Sequence, residues 1–304
     1  MLYNIKKNKW DKKLLKIFKI PIQILPMVKN SADDFSYTDK SITGKPYSIR
    51  GVIGDQQAAI IGQGCFSEGS VKFTYGTGAF VMINTGSKFV TSRNKLLSTI
   101  CYKINNKTIY AIEGSIFVAG ASIQWLRDKL KIIKHANQSE NISKNLKNSS
   151  DVYFVPAFTG LGAPYWIPEA RGIISGLTRD TGQNEIVRAA LQSVVYQSKD
   201  LLDAMKDDGL KPSLIKVDGG MTQNDWFNQF LADVSNLKVL KPKTQETTAL
   251  GAALVAALGA GIFKSLSQIA KKNRINKQFR PKMNKKIRLK LLNGWSQAIR
   301  KTII

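Results

Sequence analysis

Two spacings of apolar residues divide this chain, and each predicts its own kind of element. Spacing by three and four predicts helices. Leu14, Leu15 and Phe18 make one short face over residues 12–20, and Pro21 stops it. Residues 56–63 read as a helix with Asp55 at its N-cap position. Ile186, Val187, Ala190, Val194, Leu201 and Leu202 recur at helical spacing over 184–207, and residues 115–130 and 224–237 are helical as well. The uncharged Ala/Gly run 247–263 is slightly short for a bilayer span of about 20 residues. It reads as a buried helix packed through small residues. Shorter β-rich runs predict strands at 48–53, 71–74, 79–84, 109–113 and 214–217, and a buried strand entering a Gly/Pro loop over 153–166. Gly76-Thr77-Gly78 separates two of these runs as a hairpin turn. A glycine at a strand end leads into a helix twice, at Gly54-Asp55 and at Asp218-Gly219-Gly220. The expected class is α/β, with ligands at strand termini where loops and helix N-termini converge.

Composition narrows this picture. The chain has 304 residues, 43 % of them hydrophobic, enough for one large domain or two ordinary ones. Cys65 and Cys101 make no disulfide framework and suit a reducing cytosol. The N-terminus is basic but has no apolar core or cleavage site of a secretory signal, so a soluble, cytoplasmic protein with no membrane partner is expected. Lys and Arg number 46 against 21 Asp and Glu, a net charge of +25. The lysines gather at 6–19 and 271–290, and Lys, Ile and Asn are abundant together, as in a genome rich in A and T. Nucleic acid is therefore not the expected partner. The single histidine, His135, lies in a polar stretch and excludes a histidine-rich metal site, and no Walker loop, Cys-x-x-Cys or Ser-His-Asp set is present.

What remains is a layout suited to phosphoryl transfer. That chemistry needs a positioned hydroxyl, a group to take its proton, and donors around phosphates. Asp55 is the candidate base. Gly76-Thr77-Gly78 is the candidate phosphate loop, since a backbone that approaches phosphates through its N–H groups has no room for a Cβ. Taken alone, the aspartate serves equally well as a helix cap and the turn as an ordinary hairpin.

In context the motifs are more specific. GDQQAA (54–59) followed by TYGTG (74–78), with AGASIQWLRD (119–128), GLGAPYW (160–166), DGG (218–220) and ETTALGAA (246–253), resembles the FGGY family of carbohydrate kinases in its glycerol kinase branch. The resemblance runs from about Leu2 to Trp295. It implies an actin-like ATPase (ribonuclease H-like) fold, with ATP and a polyol in a cleft between two α/β domains. Residues 1–62 would close the first domain, 63–260 would form a complete second one, and 261–304 a basic helical tail. The start of the first domain, with its own phosphate loop, a carboxylate linked to Mg²⁺ and an Arg-Glu pair for glycerol, is expected to be missing. By the same resemblance Asp55 contacts glycerol and accepts its proton, and Gln56 and Phe80 also touch it. Gly76, Thr77 and Gly78 approach phosphates, while Gly120, Ile123, Gln124, Gly219, Gly220 and Asn224 hold the nucleotide. ATP and Mg²⁺ are the implied cofactors, with no metal ligand assigned. The implied reaction is phosphorylation of glycerol to glycerol 3-phosphate, incomplete or inactive in this chain alone. A separately encoded N-terminal half and a homo-oligomer are the implied partners. The alternative is a non-catalytic nucleotide-binding remnant or scaffold. Ile167 departs from the family's pattern, which has an aspartate there.

Overall fold

The computed structural model describes residues 2–146, 151–272 and 275–303, so Asn273 and Arg274 of the second basic run lie outside the described residues. The chain opens with a two-stranded ladder, β1 (Tyr3–Asn4) and β2 (Lys9–Trp10), and two short helices, α1 (Lys12–Ile17) and α2 (Lys40–Thr43). Helix α3 (Asp55–Gln63) precedes four strands: β3 (Ser70–Tyr75), β4 (Ala79–Gly86), β5 (Leu97–Ile104) and β6 (Lys107–Ile116). Next come α4 (Gly120–Asp128), α5 (Gln138–Asn145) and a small ladder of β7 (Tyr153–Val155) with β8 (Ile173–Ser175). The remainder is α6 (Gln183–Asp207), β9 (Leu214–Asp218), α7 (Asp225–Ser235), β10 (Val239–Pro242), α8 (Thr247–Gly259), α9 (Leu266–Lys272), β11 (Ile275–Phe279) and α10 (Lys285–Ile303).

Seven strands form one mixed sheet in the order β11-β10-β9-β3-β4-β6-β5. β9 runs parallel to both β3 and β10, and the other pairs are antiparallel. Alternation along each strand gives the sheet two unlike faces. One is apolar at its centre: Val71, Phe73 and Tyr75 of β3 join Val81, Ile83, Ile112, Ile215 and Val217 in the main core with residues of α6, α7 and α10. The opposite face carries Lys72, Thr74, Phe80, Met82, Glu113, Ser115, Lys216 and Asp218 in aligned rows. It packs partly on α3 and α8 through Ile60, Ile61, Met82 and Val255. Cys65 and Cys101 are buried free thiols on this side, and burial raises the Cys65 thiol to about 11.

The expected hairpin is present, paired from Val71↔Ile83 to Tyr75↔Ala79. Four expectations change. Residues 48–53 form no strand, only bridges at Tyr37↔Ser48 and Ala32↔Gly51. They bond to residues 31–38, but Ser36 at φ +76° shifts the register, and the Asp33 and Asp34 carboxylates take the N–H groups of Asn30 and Ser36. The strand expected at 109–113 extends to Ile116, so the helix expected from 115 begins only at Gly120. Helix α8 crosses α3 so closely that a Cβ on Gly251 would lie 1.8 Å from the Ala58 carbonyl oxygen. Its burial is confined to the stripe Thr247, Gly251 and Val255, so this helix is not buried all round. The segment 261–304 supplies a sheet strand besides helix, and α10 places Leu291, Trp295, Ala298 and Ile299 in the main core. Trp295 stacks on Tyr196 at 5.3 Å and its Nε1 donates to the Asp200 carboxylate at 2.8 Å. Among the described residues no helix is long and apolar enough to cross a membrane.

Candidate active site

The turn after β3 is tied to the start of α4. Gly120 N–H donates to the Gly76 carbonyl at 2.9 Å, and the Thr77 carbonyl accepts from Ala119 and Ala121 at 2.9 and 3.0 Å. A Cβ on Gly120 would sit 2.6 Å from the Gly76 oxygen, so this approach requires glycine. Beside it, β9 ends in Gly219 at φ +89°, where a Cβ would lie 2.3 Å from the Tyr75 carbonyl oxygen. The chain then makes a single helical turn over Gly220–Gln223 and enters α7. Asn224 caps that helix, its Oδ1 accepting from Phe227 N–H at 2.9 Å. Its Nδ2 is buried and has no partner among the described residues.

These pieces enclose a cavity of about 620 Å³. Gly76, Thr77, Gly120, Ile123, Gln124, Gly220 and Asn224, all expected from the sequence, line it. Gly78 and Gly219 do not, and both lie behind the wall against backbone of β6 and β3. Ile123 is both core and wall, whereas Gln124 is exposed. Arg127, Asn137, Glu140, Met221 and Gln223 also line the cavity and were not foreseen. Arg127 had a legible signal, since Gly120, Ile123, Gln124 and Arg127 follow one helical face at three- and four-residue spacing. Glu140 had none: only the fold brings α5 to α7, where its Oε1 accepts from Asp225 N–H at 3.0 Å.

On the mixed face of the sheet, Gln56, Phe80, Met82, Leu97, Glu113, Ser115 and Trp166 line a smaller cleft of about 250 Å³. Phe80 is 46 % exposed there. Asp55 does not line this cleft. It is the first residue of α3 and exposed; Gly54 holds the cap position, and the Asp55 Oδ1 accepts from Gln56 N–H at 2.7 Å. The capping expectation is thus corrected by one residue, which leaves the carboxylate facing outward. Glu113 and Trp166 are additions to the expected set. Burial raises the Glu113 carboxyl, partly opposed by Lys72 and reinforced by Asp55. Lys72 is buried below this end of α3 and donates to Gln56 Oε1. Burial pulls its amine from 10.5 down to about 8, against the attraction of Asp218 foremost.

Residues 71–260 match the model of the FGGY family of carbohydrate kinases, C-terminal domain. The chain belongs to the FGGY family. The glycerol kinase 1 of Pseudomonas aeruginosa is 51 % identical over 301 residues, which are 99 % of this chain and 61 % of that protein. The glycerol kinase of Rhodospirillum rubrum is 50 % identical over 99 % of this chain and 61 % of its own length. Among solved structures, Plasmodium falciparum glycerol kinase with ADP superposes with a TM-score of 0.94 at 40 % identity, covering all of this chain and 61 % of that one. A ligand-bound xylulose kinase from Lactobacillus acidophilus shares the fold at a TM-score of 0.86 and 21 % identity. This FGGY chain therefore has the actin-like ATPase fold and spans about three fifths of the length of the relatives it matches.

Proposed function

We propose that this chain takes part in ATP-dependent phosphorylation of glycerol, giving glycerol 3-phosphate. The observation that carries the reading is the convergence of Gly76, Thr77, Gly120, Gln124, Gly220 and Asn224 on one cavity. The hairpin that supplies Gly76 and Thr77 also presents Phe80 to the cleft beside Gln56. The glycerol kinases named above, at about half identity, support glycerol as the acceptor. In this reading the nucleotide occupies the larger cavity, where the unpartnered Asn224 Nδ2 is a donor in need of an acceptor. Asp55 takes the acceptor's hydroxyl proton. An aspartate is too weak a base to ionise an alcohol outright, but it accepts the proton late, as charge moves onto the phosphoryl oxygens.

Among the described residues no group of three or more His, Cys, Asp or Glu could hold a metal ion. The side chains present do not make a cage for Mg²⁺, which belongs here with the nucleotide's phosphates. The facing wall of the cleft is assigned to polypeptide equivalent to the two fifths of the relatives' length that this chain does not match. A separately encoded half or a further part of the same chain would serve. Ile17, Phe18, Ile24, Met27, Ile42 and Val52 are exposed within residues 17–52, apolar side chains available to such a wall.

The test is ADP release from ATP, Mg²⁺ and glycerol, with and without the missing domain supplied from a related kinase, and Asp55→Asn as control. Glycerol-dependent turnover that vanishes in the variant is the expected result. A second reading, a nucleotide-binding protein without transfer, is favoured by one observation: seven expected nucleotide residues line one cavity of this chain, while Asp55 lies outside the cleft of Gln56 and Phe80. Nucleotide binding with no turnover in either condition selects it.

A further inference from the structure

The least expected group in the molecule is the side chain of Lys72. Strand β3 reads Ser-Val-Lys-Phe-Thr-Tyr, and its alternation places Lys72 on the mixed face, between Met82 of β4 and Lys216 of β9. Helix α3 covers that spot, and Lys72 is fully buried at 0 % exposure. Burying an ammonium costs a fold heavily unless it is paired, and methionine would fill most of that space without that cost. The groups facing it are Asp218, Cys65, Asp55 and Glu113. Lys216 lies beside it in register but turns to the end of α3, donating to the Gln63 and Gly64 carbonyls at 2.7 and 2.8 Å. The one hydrogen bond that Lys72 makes among the described residues goes to Gln56 Oε1.

That bond has a directional consequence. An ammonium only donates, so the carboxamide atom that meets it must be the oxygen. The Gln56 NH₂ group is thereby turned away from Lys72, and Gln56 lines the cleft with Phe80, Glu113 and Trp166. A free glutamine amide has two orientations of nearly equal energy and would present either end to a ligand. With its oxygen held from below, it presents a donor.

We infer that Lys72 is a positioning residue of the acceptor cleft: it fixes the Gln56 carboxamide so that its NH₂ donates to a hydroxyl of the acceptor. The inference rests on the acceptor reading given above. Lys72 itself touches no substrate. The nucleotide cavity is lined by neither Lys72 nor Gln56, so the contact made through Gln56 acts on the acceptor side.

Two readouts test it in the full chain. The first needs no activity: the side-chain amide signals of Gln56 in ¹H–¹⁵N spectra, assigned by their loss in Gln56→Glu. In Lys72→Met these signals should move and merge toward those of a free glutamine, while the backbone signals of residues 120–124 stay in place. The second is steady-state kinetics with the missing domain added. Lys72→Met should raise the KM for glycerol about tenfold, the value of one directed hydrogen bond, and leave the KM for ATP unchanged. Lys72→Gln, which restores a donor facing Gln56, should recover part of the loss. Gln56→Ala should raise the KM for glycerol by as much, with no further rise when both changes are combined. Unmoved Gln56 signals in a folded Lys72→Met chain would overturn the inference. So would KM values for glycerol and ATP that rise together. If no phosphoryl transfer is seen under any condition, the functional reading fails, and the Gln56 signals still decide whether Lys72 orients that amide.

Discussion

Replacing Lys72 by methionine should change the way stability depends on pH. In the folded chain burial brings the amine down to about 8 from its ordinary 10.5. Between those values the unfolded chain carries the proton and the folded chain does not. The unfolded state therefore binds more protons, and stability rises with pH across this window. The rise is fully present above the ordinary lysine value and is lost as pH falls through about 8. The depression corresponds to roughly 3 kcal/mol between the two ends of the window. Lys72→Met keeps an unbranched side chain, one atom shorter, and has nothing to titrate. At neutral pH the substitution mixes two opposing effects, relief of a buried charge and loss of the cation facing Asp218. The change in the difference with pH isolates the amine, because the other lysines and tyrosines are common to both chains. The assay is urea unfolding of parent and variant at about pH 7 and about pH 10, with the free-energy difference compared at each. The parent should gain about 2–3 kcal/mol on the variant between the two conditions, since pH 10 falls just short of the ordinary lysine value. A constant difference would show that Lys72 keeps its ordinary affinity for the proton, and the reasoning from burial would be refuted.

Other consequences can be checked in the same preparations. Asp55→Asn should change stability little, since Asp55 is exposed and, among the described residues, its carboxylate bonds to its neighbour's N–H. In the reconstituted assay it should lower turnover by about 100- to 10,000-fold, the range of a lost general base. Gly219→Ala forces a Cβ against the Tyr75 carbonyl at φ +89° and should destabilise the chain by about 1–3 kcal/mol or more in thermal unfolding. Asn224→Ala removes the cap of α7 and should cost about 1 kcal/mol. The same variant should weaken ADP binding in calorimetry, whereas Asn224→Asp, which keeps the cap but loses the donor, should weaken binding with little loss of stability. Asp200 is raised to about 6 by burial between the Trp295 and Tyr165 donors. Stability should therefore fall as pH rises from about 4 to about 6, and the slope over that window should be shallower in Asp200→Asn.

The elements that carry the nucleotide cavity were legible because their signals are local. A hairpin turn of Gly-Thr-Gly, a glycine pair at the end of β9 and the helical period of α6 each lie within a few residues. The acceptor side was read less well, and Lys72 shows why. A lysine alternating with Val71 and Phe73 looks like the solvent side of a half-buried strand. Only the packing of α3 over that face turns it into an interior charge. Strands β5, β10 and β11 were also invisible. β10 ends at Pro242, and β11 is an edge strand with the sequence Ile-Asn-Lys-Gln-Phe, exposed nearly throughout. Edge strands of this kind are kept polar to discourage further pairing, which removes the apolar alternation by which a strand is recognised. The strand expected at 48–53 failed for the opposite reason: its alternation was adequate and it bonds to residues 31–38, but Ser36 at positive φ shifts the register and leaves only bridges.

The position of α10 bears on how the chain is made. Trp295 closes the main core against Tyr196, and β11 completes the sheet's outer edge, yet both follow in chain order the elements they cover. Until residues 275–303 leave the ribosome, Tyr196 and Asp200 of α6 lack their cover and β10 has an unpaired edge. A nascent chain in that state is a target for holding chaperones and for proteases. Ribosome-bound chains halted before and after the release of α10 should then differ sharply in protease resistance at α6. Equal resistance in the two would mean that the core is closed without it.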